Sequence, residues 1–128
     1  MLFRSTKAVY ENKDLMIQRL AEAYELIKDQ DNWTVGALAR DKDHYDVNEF
    51  SDCAVKFCSI GALSLKFGRD ESKLPKDRLC MNECISLLDR TSLKLYGISA
   101  IHKANDKLAH AEVLLIFEGA INSLKEPV

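Results

Sequence analysis

Proline is nearly absent. Only Pro75 and Pro127 occur in 128 residues, so little in the chain forbids helix, and its Leu/Ala/Lys/Glu-rich composition favours it. Long apolar runs are missing too. The longest, Val113 to Phe117, is far too short to span a bilayer. The segment Met1-Leu2-Phe3-Arg4-Ser5-Thr6-Lys7 lacks the apolar core and cleavage site of a signal peptide. A cytoplasmic protein with no membrane partner is therefore expected. Charge of one sign is also lacking, because 18 Lys plus Arg face 20 Asp plus Glu and leave a net charge of -2. That balance excludes a strongly basic nucleic-acid binder. No linker, repeat or low-complexity segment divides the chain, so residues 1–128 read as one compact domain.

Signatures of chemistry are equally scarce. Neither GxGxxG, a Walker sequence nor His-Glu-x-x-His can be written. Asp41-x-Asp43-x-x-Asp46 resembles the start of a calcium loop, but Asp46 and Asp52 stand where Gly and Glu are required. Cys80 and Cys84 are four apart and share a helical face, whereas Cys53 and Cys58 are five apart and do not. Without a Cys-x-x-Cys knuckle, zinc is disfavoured, and reduced thiols that pack as small hydrophobes are expected. His102 and His110 offer bases for a thiol, yet no nucleophile motif surrounds any cysteine. With His44 they read as surface or capping histidines. Trp33, Tyr45 and Phe50 lie near Arg40 and Lys42, but Asp31, Asp41, Asp43, Asp46 and Glu49 share the region and would repel a phosphate backbone. No catalysis, metal or cofactor is expected.

What the chain does have is helical spacing. Ile17, Leu20, Tyr24 and Ile27 predict a helix over about 12–29, capped by Asn12 or Ser5. Trp33 to Asn48 shows no clean period and reads as an irregular polar segment, with Trp33 plugging one end of the bundle. Two apolar stripes predict a second helix over about 49–67, ending at Gly68. Within it, Gly61-Ala62 suggests close approach of another helix. A third helix should start near Pro75, bury Leu79, Met81, Ile85, Leu88 and Leu95, and end at Gly97. Ile98 to Lys103 suggests one further helical turn. Asn105-Asp106 reads as the cap of a last helix over about 107–124, with Val113, Phe117, Ala120 and Leu124 inward. The expectation is an all-α domain of four main helices with one irregular polar segment after the first.

One ordered set of motifs is more specific. Trp33-x-x-Gly36-Ala37-x-Ala39-Arg40-Asp41 is followed by Cys58-x-x-Gly61-Ala62-Leu63, then by Asn105-Asp106-Lys107 and His110-Ala111-Glu112-Val113. This order resembles a family of small proteins of bacteria and bacteriophages that has no assigned activity. The resemblance implies a small stand-alone domain and brings no catalytic residues with it. It also suggests a phage-encoded host-takeover or anti-defence factor.

These residues have a physical reading of their own. Arg40 and Asp41 are placed to pair with Asn105 and Asp106, fastening the irregular segment to the start of the last helix. Trp33, Arg40, Asp41, Asn105 and Asp106 are thus the candidate ligand or partner contacts. The leading expectation is a binding module that engages a protein partner. The alternative is a small-molecule or nucleotide binder at a pocket near Trp33, Arg40 and Asn105. An uncovered apolar stripe on the first or third helix would pair two copies as a homodimer.

Overall fold

The computed structural model describes residues 12–69 and 74–126. Ser5, one of the two expected caps, lies outside them. Among the described residues, five α-helices surround one core. They are α1 Lys13–Lys28, α2 Ser59–Phe67, α3 Pro75–Tyr96, α4 Ile101–Lys107 and α5 His110–Lys125. Three two-residue strands lie between α1 and α2: β1 Ala39–Arg40, β2 Asp46–Val47 and β3 Lys56–Phe57. The described residues are thus mostly helical, but they form five α-helices rather than four, together with a small sheet.

α1 buries Met16, Leu20, Ala23 and Ile27, a face rotated slightly from the expected Ile17/Tyr24 stripe. It packs against α2, α3 and α5. α5 turns Val113, Ile116, Phe117, Ala120 and Leu124 inward, much as its spacing indicates. α3 differs. Its buried face holds Cys80, Cys84, Leu87, Leu88 and Ser92, while Leu79 and Leu95 are exposed. Cys80 and Cys84 pack as the small buried hydrophobes expected of the thiols, whereas Cys53 is exposed.

The irregular segment is a miniature antiparallel sheet. β1 is central, with Ala39 opposite both Val47 and Phe57, and Arg40 opposite both Asp46 and Lys56. Trp33 adds a parallel bridge to Phe57. Helix over 49–58 does not form. Asn48 accepts the Phe50 N–H and Ser51 the Cys53 N–H, so turn chemistry holds that stretch. α2 begins only at Ser59, where the Cys58 sulfur accepts the Gly61 N–H at 3.3 Å.

Asn105 and Asp106 do not cap the last helix. They lie inside α4, and α5 starts five residues later, with Glu112 accepting the Ala109 N–H. The first turn of α4 is anchored by α3 instead: Asp89 accepts the Ile101 N–H at 2.7 Å. Gly68 and Gly97 end α2 and α3 as expected, both with positive φ. No helix among the described residues is long and apolar enough to cross a membrane.

Candidate functional site

The polar centre of the molecule is Asn105. It projects from α4 and is 1% exposed. Its Oδ1 accepts the Trp33 indole N–H at 2.9 Å, the Ser59 N–H at 3.0 Å and the Ser59 hydroxyl at 2.7 Å. Its Nδ2 donates to the Thr34 carbonyl at 2.9 Å. One side chain therefore ties α4 to the start of α2 and to the chain entering the sheet. A buried amide is tolerable because its polar atoms are met. Asp106, next along α4 and exposed, accepts the Gly36 N–H at 3.0 Å and extends the clasp.

The segment held this way is fixed on its other sides too. Thr34 N–H donates to the Phe57 carbonyl at 3.0 Å, and Cys58 N–H to the Leu38 carbonyl at 3.2 Å. The Leu38 carbonyl also meets Gly61. A Cβ at that position would overlap the carbonyl oxygen and come within 2.8 Å of the carbonyl carbon. The close approach expected at Gly61 therefore exists, but its partner is the backbone of residue 38 rather than a helix. Trp33 is half-buried and its ring lies 5.1 Å from that of His110, whose Nε2 sits 2.6 Å from the Ile27 carbonyl.

Arg40 belongs to the same segment but faces inward to it. Nε donates to Thr34 Oγ1 at 3.0 Å, Nη2 to the Val35 carbonyl at 3.0 Å, and Nη1 to the His44 carbonyl and the Asp46 carboxylate. Asp41 accepts the N–H groups of Asp43 and Tyr45, bracing the turn where His44 adopts a positive φ. Of the five candidate contacts, then, Trp33, Asn105 and Asp106 form the clasp. Arg40 and Asp41 stabilise the sheet that the clasp holds.

A cavity of about 190 Å3 adjoins the clasp. Gly36, Leu38, Cys58, His102, Asn105 and Asp106 are among its lining residues. Burial pushes the Cys58 thiol above its ordinary value, and the Asp106 charge adds to this against the N–H groups of Gly61 and Ile60. Among the described residues no group of three or more His, Cys, Asp or Glu is disposed to hold a metal. Sequence reasoning missed Ser59, Thr34 and Cys58 as members of this centre. The available signal was Ser59 and Ser64, two polar residues inside an otherwise apolar stretch.

No family model, curated protein or solved structure matches the chain.

Proposed function

We propose that this chain is a non-catalytic binding module that engages a protein partner through the segment 33–38. The observation that carries this reading is the mismatch between the fixed backbone of the segment and its exposed apolar side chains. Its peptide groups are tied to Phe57, Cys58, Asn105, Asp106 and Arg40. Yet Val35 is 39% exposed and Leu38 46% exposed. Apolar side chains on an already ordered loop lose little further entropy on association, which is how preorganisation strengthens binding. The state of Cys58 supports a role other than catalysis: its thiol is held protonated by burial and caps α2.

The test pairs the wild-type chain with a V35D/L38D variant as tagged baits. A partner retained in fixed stoichiometry by the wild type should be lost by the variant, with the melting temperature unchanged. Equal retention by both would refute the assignment of this face.

The cavity beside the clasp favours a second reading, a small-molecule site. Its volume of about 190 Å3 is below the several hundred Å3 usual for drug-sized ligands. Only a fragment-sized ligand fits that reading, and a nucleotide is too large. Such a ligand would raise the melting temperature of the wild type and not of a Leu38→Trp variant that fills the space.

A further inference from the structure

A larger cavity, of about 460 Å3, shares Leu38 and Ile60 with the one beside the clasp. Its volume falls in the range of ordinary ligand sites. One residue in its wall needs explanation. Glu49 belongs to the turn following β2, where water is at hand, yet it is only 7% exposed. Burying a carboxylate is costly unless charge-assisted partners meet it. The Ser64 hydroxyl donates to Oε2 at 2.6 Å. An ionised carboxylate accepts about four hydrogen bonds, so Glu49 retains capacity for a donor arriving through the cavity.

The remaining lining defines what that donor is attached to. Leu38, Ile60 and Met81 offer an apolar wall, and Asn82 and Arg78 are exposed on α3. The Arg78 charge opposes a cation, but Arg78 is exposed, where solvent screens it, and has interactions of its own. Glu49 stands where the dielectric is low and its attraction is stronger. We propose that this cavity binds a small primary amine with an apolar body, its ammonium group seated on Glu49 and its body against Leu38, Ile60 and Met81. A neutral ligand of the same shape gains the apolar contact alone.

Benzylamine is a suitable probe, with benzyl alcohol as its neutral counterpart, each titrated into labelled protein and followed by amide chemical shifts. Benzylamine should give saturable shifts at Glu49, Ser64 and Asn82, with benzyl alcohol binding at least about tenfold more weakly. Glu49→Gln should remove that preference. Asn82→Trp, at an exposed position, should block both probes without unfolding the chain. The proposal is overturned if benzylamine does not bind, if the alcohol binds as well, if E49Q keeps the preference, or if N82W still binds. Because Glu49→Gln and Asn82→Trp leave Val35 and Leu38 in place, failure of the partner face and failure of this site can be told apart.

Discussion

Single residues set the sign of several effects here. Removing the Asn105 side chain strands the Trp33 indole N–H, both Ser59 donors and the Thr34 carbonyl in a buried place. Each stranded group carries a penalty of about 1–3 kcal/mol, partly relieved by water, so Asn105→Ala should lose about 3–4 kcal/mol in urea unfolding. Gly61→Ala sets two effects against each other. Helix propensity alone favours Ala by about 1 kcal/mol. The Leu38 carbonyl lies in the way, and backbone cannot swing aside as a flexible side chain does. The overlap should win, and the variant should melt lower than the wild type. The sequence marked Gly61, Trp33, Asn105 and Asp106 as worth attention. It misplaced Arg40 because a guanidinium five residues from a carbonyl and six from a carboxylate has local partners that no spacing rule ranks above distant ones.

At the level of elements, helices with one dominant apolar face were legible and short pieces were not. α1, α3 and α5 are each 16 residues or longer, so their period repeats several times. α2 has nine residues and follows β3 after a single residue. The positions 53, 57, 60 and 67 fit one helical stripe whether or not the chain is helical at 53. Two-residue strands cannot display a period at all. The spacing gives the bounds of α3 but not the whole of its inward face, since Leu88, Cys80 and Cys84 are buried while Leu79 and Leu95 are exposed. Those cysteines carry a consequence for pH. Burial raises the thiols of Cys58, Cys80 and Cys84, most strongly Cys84. The folded state therefore holds these protons more tightly than the unfolded chain does. Their contribution is complete below the unfolded thiol value of about 8.5 and is lost as pH rises beyond it. The urea midpoint should fall between about pH 8 and pH 10. Tyr24, raised by desolvation and by its bond to Glu118, acts in the same direction. A Cys84→Ala variant should show a shallower fall than the wild type, and an equal fall would assign the effect elsewhere.

For the molecule as a whole, α1 contacts α2, α3 and α5, and the clasp joins α4 to α2 and the sheet. Such interlocking favours one cooperative transition. Trp33 is the single tryptophan, so its fluorescence reports the clasp, while far-UV circular dichroism reports the helices. The two urea transitions should coincide. A fluorescence change at lower urea would mean that the clasp opens by itself while the helices persist. The mostly helical architecture was readable from composition and spacing, since both are summed over the whole chain. The clasp depends on which buried polar atoms meet, and that is settled only by tertiary packing.

The order of synthesis gives the clasp a further meaning. Trp33 and Asn105 are 72 residues apart along the chain. At about 5–20 residues per second, a ribosome separates their appearance by roughly 4–15 s. Before that interval ends, Trp33, Thr34 and then Ser59 have been made without the amide that later joins them. The nascent segment must wait, with its short strand edges open to other chains, until α4 leaves the exit tunnel. Asn105 thus acts as a late latch, and a chain truncated before it would leave the tunnel with the sheet unfastened.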